Sequence, residues 1–218
     1  MAINLENYKD IRAELGDKVL LVAVSKTKPV PDIQALYDQG QRDFGENYVQ
    51  ELVDKQPQLP ADIRWHYIGH LQSNKVKYIA PIVHLIHGVD SLKLLKEINK
   101  QALKQNRTIN CLLQVYIAQE ETKFGLDEKE LDALLDELDK SPLQNIVIKG
   151  LMGMASFTDD LNKVRDEFKE LKKLYDKLKS RSSQVNILSM GMSADYKIAV
   201  EEGSTLVRVG SLLFGERI

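Results

Sequence analysis

The chain has 218 residues, 43% of them hydrophobic, and sets 30 Lys and Arg against 32 Asp and Glu for a net charge of −2. That length supports one large core without requiring a second domain, and the interspersed charges offer neither a basic face for nucleic acid nor a polybasic run for a membrane surface. Residues 1–18 carry acidic side chains and no apolar signal-type stretch, and no run reaches membrane-spanning length, so a cytoplasmic protein is expected.

Leu5, Tyr8, Ile11 and Leu15 recur at spacings of three and four and predict an amphipathic helix closed by Gly16. Six apolar residues over 19–24 then run into Ser25-Lys26-Thr27-Lys28-Pro29. This reads as a strand buried on both faces that delivers polar groups at its carboxyl end. Leu20, Val22, Val24 and Lys26 share one face of it; Val19, Leu21, Ala23 and Ser25 share the other. A helix is predicted over 31–39, a strand over 42–47, a helix over 48–56 and a turn-rich loop over 57–62. A strand over 63–69, a helix over 72–80 and a strand over 83–89 follow.

Ser91 is placed to cap a helix bearing Leu92, Leu95, Ile98 and Ala102. Next come a strand over 109–118, a helix over 127–140 with Leu131, Leu134, Leu135 and Leu138 inward, and a strand over 146–154. The longest helix covers 161–179, its stripe formed by Leu161, Val164, Phe168, Leu171, Leu174 and Leu178. A strand over 185–190, a short helix over 195–202 and a strand over 205–209 complete the pattern. Eight short apolar strands alternating with helices predict an α/β fold, a closed (β/α)8 TIM barrel with an extra N-terminal helix. An open doubly wound sheet gives much the same alternation. One domain over 1–218 is expected, and Cys111, the single cysteine, reads as a buried strand residue in a reducing compartment.

A lysine at the carboxyl end of a parallel strand stands where ligands bind and can serve as a nucleophile toward a carbonyl. A lysine in that position is ordinarily a solvated cation, so the reading of Lys26 depends on features elsewhere. Barrels often hold phosphate in the loops after strands seven and eight. Here those loops contain Gly191, Met192 and Ser193, then Gly210 and Ser211, with glycines for close backbone approach and hydroxyl donors beside them. Asp195 is expected to face solvent, because inward it would repel an anion. Arg208 shares strand parity with Leu206 and Gly210, which points a permanent cation into the barrel; its acceptor is either a structural carboxylate or a ligand. A lysine, a phosphate cradle and a buried cation suit a ligand with an aldehyde, a phosphate and a hydrogen-bonding ring nitrogen, as in pyridoxal 5′-phosphate. His84 and His87 are expected on opposite faces of a strand and His70 beyond a strand end, so no metal cluster is expected.

These segments, together with Phe44-Gly45-Glu46-Asn47-Tyr48-Val49-Gln50-Glu51, Trp65-His66-Tyr67-Ile68-Gly69-His70-Leu71-Gln72-Ser73-Asn74-Lys75 and Gly150-Leu151-Met152-Gly153-Met154, resemble the YggS/PROSC family of pyridoxal phosphate homeostasis proteins. The match runs in order through nearly the whole chain. The resemblance implies a barrel like the N-terminal domain of alanine racemase, binding pyridoxal 5′-phosphate as an aldimine with Lys26 as the Schiff-base lysine. It implies Arg208 facing the pyridine nitrogen, Ser193, Gly210 and Ser211 with the Met192 amide on the phosphate, and Asn47 near the ring. It further implies a monomeric carrier or regulator tied to vitamin B6 and amino-acid or keto-acid balance, with no established turnover and with apo-forms of pyridoxal phosphate enzymes as partners.

Racemases sharing this barrel use a second domain, for which no counterpart is expected here. A small racemase would need an acid/base from within the barrel, Tyr67 or His70; a Schiff-base aldolase is a third reading. Lys28, beyond the strand, is expected to be more solvated than Lys26, and Lys123 to be an ordinary surface lysine unless it offers a secondary site.

Overall fold

Helix α1 (Leu5–Leu15) begins where the Asn4 side chain accepts from the Asn7 amide and stops at Gly16. It is followed, in the computed structural model, which describes residues 3–118 and 124–215, by eight strands that alternate with helices. They are β1 (Leu20–Val24), α2 (Val30–Asp38), β2 (Asp43–Glu46), α3 (Val49–Lys55), β3 (Arg64–Tyr67), α4 (Val76–Ile79), β4 (Val83–Val89) and α5 (Leu92–Lys104). The second half comprises β5 (Ile109–Gln114), α6 (Glu128–Lys140), β6 (Ile146–Met152), α7 (Leu161–Arg181), β7 (Ile187–Ser189), α8 (Tyr196–Glu201), β8 (Leu206–Val209) and a short α9 (Ser211–Phe214).

The strands are all parallel and run in sequence order around a closed barrel. β1 pairs both with β2, Ala23 opposite Phe44, and with β8, Leu20 opposite Leu206 and Val22 opposite Arg208. That last ladder removes the open-sheet alternative. It also explains why β1 is apolar on both faces: Leu21 and Ala23 pack in the shell under the helices, while Leu20 and Val22 belong to a separate cluster with Leu85, Leu112, Met152 and Leu206 inside the barrel. Each fully buried side chain of that kind contributes roughly 1.5–3 kcal/mol relative to exposure. The predicted cap at Ser91 forms, its hydroxyl accepting from the Leu94 amide, and Asp127 with Glu130 makes a reciprocal capping box on α6.

Several elements differ from their predicted bounds. β5 ends at Gln114 rather than at residue 118, because the Leu126 amide and carbonyl take the Gln114 carbonyl and the Tyr116 amide and draw the chain out of the ladder. The helix expected over 72–80 is a 3-10 turn, Ser73–Lys75, followed by the single turn of α4. Leu161, expected in the buried stripe of α7, is exposed, while Tyr175 and Glu167 are buried on that helix. Glu167 is satisfied by the Ser156 amide and hydroxyl at 2.6 and 2.7 Å. Cys111 is buried as expected, and burial pushes its thiol pKa up. No helix among the described residues is long and apolar enough to cross a membrane.

Candidate functional site

At the carboxyl ends of the strands lies a cavity of ≈ 430 Å³. Lys26, Asn47, Met192, Ser193, Arg208, Gly210 and Ser211, the seven residues singled out from the sequence, all line it, together with Lys28 and the 154–157 loop after β6. They come from strands one, two, seven and eight, which the barrel closure brings side by side.

Lys26 sits in a turn whose backbone is tied down on every side. The Ser25 amide donates to the Gly45 carbonyl and the Lys28 amide to the Ser25 carbonyl, both at 3.0 Å. Thr27 has φ +63, a left-handed conformation that costs a non-glycine residue about 1–2 kcal/mol. Its amide is held at 2.8 Å by Glu51. Beneath the turn, the Ser25 hydroxyl donates to Glu46 at 2.6 Å and the Lys55 amine donates to Glu46 and to the Ser25 carbonyl at 2.9 Å. Glu46 is fully buried; burial pushes its pKa up, while Lys55 and Ser25 pull the other way. Glu46, Glu51 and Lys55 thus fix the turn that aims Lys26. The sequence gives one signal for them: a carboxylate on the covered face of a strand must be paired.

The two loops expected to hold phosphate meet: the Gly210 amide donates to the Ser193 hydroxyl at 3.2 Å. Gly191 has φ +96, and a Cβ there would lie 2.6 Å from that of Ala199, so no other residue fits that turn without displacement. Asp195 corrects an expectation. Only partly exposed, its carboxylate accepts from the Met192 amide at 2.6 Å and lines the cavity. A short loop leaves that amide pointing at residue 195, where a carboxylate is the strongest acceptor within reach.

Arg208 is buried, and its partners are neutral. Nη1 donates to the Ser189 carbonyl at 2.9 Å and hydroxyl at 2.6 Å, and Nη2 donates to the Gly153 carbonyl at 3.2 Å. Among the described residues no carboxylate pairs with it, so the structural ion pair considered as its alternative acceptor is not formed among them. Burial lowers its pKa to about 10, with Asp195 acting in the opposite sense, so it stays charged at neutral pH.

A polar line leads away from Arg208 through the barrel. The Ser189 hydroxyl lies 3.1 Å from His87 Nδ1, His87 Nε2 lies 2.9 Å from His66 Nδ1, and His66 Nε2 lies 3.0 Å from Asp43 Oδ1. Strict alternation separates His84 from His87, but the β3–β4 register shifts at Trp65/His66, and both rings approach His66, with centroids 5.5 and 5.2 Å away. Among the described residues no group of three or more such side chains is placed to hold a metal.

Tyr67 and His70 border a different hollow. The Tyr67 hydroxyl points at the Asn47 and His70 carbonyls, 2.9 and 3.2 Å away, and burial raises its pKa to about 12. His70 stacks on Phe124 and lies 3.5 Å from Asp90. Lys28, expected to be more solvated than Lys26, is partly buried like it and donates to the Phe214 and Gly215 carbonyls at 2.9 and 3.3 Å, because α9 ends beside it. Lys123 lies outside the described residues.

Comparison with known proteins places this geometry. Residues 4–218 match the family described as alanine racemase, N-terminal domain. A pyridoxal phosphate homeostasis protein of Aquifex aeolicus is 42% identical over 200 residues, covering 90% of this chain and 86% of that one. The protein of the same name in Synechocystis sp. is 39% identical over 214 residues, 97% of each chain. Among solved structures, PipY of Synechococcus elongatus PCC7942 with PLP bound matches with a TM-score of 0.88 at 38% identity, over 96% of this chain and 99% of its own. An alanine racemase of Clostridium difficile shares the fold, with a TM-score of 0.76 at 16% identity over 98% of this chain and 56% of that one. By sequence over nearly its full length and by its barrel, the chain belongs to the family of pyridoxal phosphate homeostasis proteins, of the alanine racemase N-terminal domain type.

Proposed function

We propose that residues 1–218 form one barrel domain that binds pyridoxal 5′-phosphate at the carboxyl-end cavity and serves intracellular vitamin B6 and amino-acid or keto-acid homeostasis as a carrier. One observation carries this reading: a lysine on a braced turn, two amide- and hydroxyl-bearing loops and a buried arginine border a single cavity of ≈ 430 Å³, within the size range of small-molecule sites. The donor set fits the group. Asn47 Oδ1 is buried without a hydrogen-bond partner, and a Cβ at Gly210 would crowd Val24 at 3.2 Å and narrow the cradle.

When bound, the cofactor supplies an aldehyde that condenses with a lysine amine, releasing water, and a ring nitrogen that accepts a hydrogen bond. Lys26 is the residue assigned to the aldehyde. The Ser193 and Ser211 hydroxyls and the Met192 and Gly210 amides are assigned to the phosphate, and Asn47 to the ring edge. Arg208 would face the ring nitrogen and, keeping its own proton, would leave the ring a weak electron sink and discourage carbanion chemistry.

Two placements support carrying over catalysis: Tyr67 and His70, the acid/base candidates of a racemase, border another hollow, and the Tyr67 proton is held by a pKa of about 12. The proposed setting is a cytoplasmic monomer that exchanges its cofactor with apo-forms of pyridoxal phosphate enzymes. Borohydride reduction of cofactor-loaded protein followed by peptide mapping tests the site. The expected modified residue is Lys26; a label on Lys28 or Lys123, or none, overturns the assignment.

A further inference from the structure

The bond between His87 on β4 and Ser189 on β7 joins strands that are not neighbours, so it crosses the barrel interior. Asp43, His66, His87, Ser189 and Arg208 are all buried, where an unsatisfied polar group costs more than in water. Such a line persists only if each atom meets a partner of the opposite kind.

The donor and acceptor roles can be worked out from both ends. Arg208 has no acceptor, so the Ser189 oxygen accepts from it. Asp43 is ionised: burial raises its pKa, but hydrogen bonds from His66 and Arg64 outweigh that and hold it at about 2. His66 Nε2, facing this carboxylate, must carry a proton. Burial chiefly, with the Arg208 charge acting in the same direction, lowers the His87 pKa and keeps that ring neutral. One arrangement of neutral rings then satisfies every contact. Ser189 donates to His87 Nδ1, His87 Nε2–H donates to His66 Nδ1, and His66 Nε2–H donates to Asp43. The reverse arrangement needs one more proton, on His66, and leaves the Ser189 oxygen facing two donors with its own hydrogen lacking a place in the line.

Resting on the reading of Arg208 given above, we propose that Ser189, His87 and His66 are positioning residues, an oriented hydrogen-bond line anchored on Asp43 that sets the Arg208 guanidinium toward the ring nitrogen. The Ser189 hydroxyl, by donating toward His87, becomes a better acceptor for Nη1. With Nη1 held on Ser189 and one Nη2 hydrogen on the Gly153 carbonyl, the guanidinium plane is fixed, and the remaining N–H directions with it.

The experiment compares two ligands, pyridoxal 5′-phosphate and its 1-deaza analogue, in which carbon replaces the ring nitrogen. Their dissociation constants are measured by absorbance titration for the wild type and for Ser189→Ala, His87→Leu, His87→Gln and Arg208→Met. Arg208→Met is expected to abolish the preference for the nitrogen-containing ring. Ser189→Ala and His87→Leu are expected to reduce it about five-fold, the scale of one ordinary intramolecular hydrogen bond, and His87→Gln, which keeps a donor and an acceptor, to restore part of it. Equal weakening of both ligands by Ser189→Ala would mean a merely structural role and overturn the proposal. If Arg208→Met leaves the preference intact, the assignment of Arg208 itself fails; if it alone removes the preference, only the line fails. Should His87→Leu not fold, Ser189→Ala still decides, as does ¹⁵N NMR of the wild-type histidines. Nε2–H tautomers are expected for both His66 and His87, and an Nδ1–H tautomer at His87 would reverse the line and overturn it.

Discussion

The barrel has a cavity at each end, and the larger is not the one proposed to bind the cofactor. At the amino ends of the strands ≈ 620 Å³ opens among Arg42, Asp43, Arg64 and Lys149; at the carboxyl ends the space is ≈ 430 Å³. Two of the cations at the amino end are matched within the protein: Arg64 grips Asp43, and Arg42 pairs with Asp62 at 2.8 Å. At the carboxyl end, among the described residues, Arg208 meets only neutral oxygens, Asn47 Oδ1 has no hydrogen-bond partner, and the Ser193 and Ser211 hydroxyls border the space. Hydrogen-bonding capacity left over after the fold has satisfied itself locates a site better than volume does.

The largest expected contrast sets one lysine at each end against the other. Lys26→Ala is expected to abolish covalent capture of pyridoxal 5′-phosphate and the absorbance near ~420 nm that a lysine-bound cofactor gives. Lys149→Ala, at the amino-end cavity, is expected to leave both within two-fold. A loss in the second variant, or retention in the first, would erase the distinction between the ends.

Much of this contrast could be read from the chain itself, for a physical reason. Six apolar residues in a row before Ser25 mean a strand covered on both faces, and a parallel strand presents its carboxyl end to the ligand; Lys26, Ser193, Arg208 and Ser211 are read with that rule, whereas Asn47 comes only from the family resemblance. The helix stripes were legible through burial at every third or fourth position, as in α5 and α6, and failed at Leu161, where the first turn of α7 leaves the barrel wall. The line from Asp43 to Ser189 was not legible. His87 and Ser189 are 102 positions apart, and the approach of His84 to His66 depends on a shifted register that alternation alone does not predict. Asp195 was misread because a helix-dipole argument weighs one helix and ignores the Met192 amide three residues back.

The second test concerns the anchor at the amino end. Asp43 titrates at about 2 in the folded protein against an ordinary 3.8. Because the folded-state pKa is depressed, the stability it contributes is complete above the unfolded value and is lost as pH falls from about 5 through 2. The difference amounts to about 2 kcal/mol. Urea unfolding at pH 6 and pH 2.5 should therefore show wild type losing about 1.5 kcal/mol more than Asp43→Asn over that interval, the rest being lost below pH 2.5. Equal losses would mean that Asp43 is not held by His66 and Arg64, and the line would lack its end.

The smallest effect belongs to Asp195, whose carboxylate is turned onto a donor proposed to hold the phosphate. Its oxygen lies 2.6 Å from the Met192 amide, so an arriving phosphate competes with a charge already there. Asp195→Asn keeps an acceptor for that amide and removes only the charge. For a partly exposed group in salt the repulsion relieved is a fraction of a kcal/mol to about 1 kcal/mol, which corresponds to a two- to four-fold gain in affinity for inorganic phosphate, measured by its competition with pyridoxal 5′-phosphate. The gain should shrink as ionic strength rises, because screening already weakens the repulsion in the wild type. Unchanged or weaker phosphate binding would place the anion away from the Met192 amide, and the two loops after β7 and β8 would then divide the phosphate differently, with Ser193, Gly210 and Ser211 as its holders.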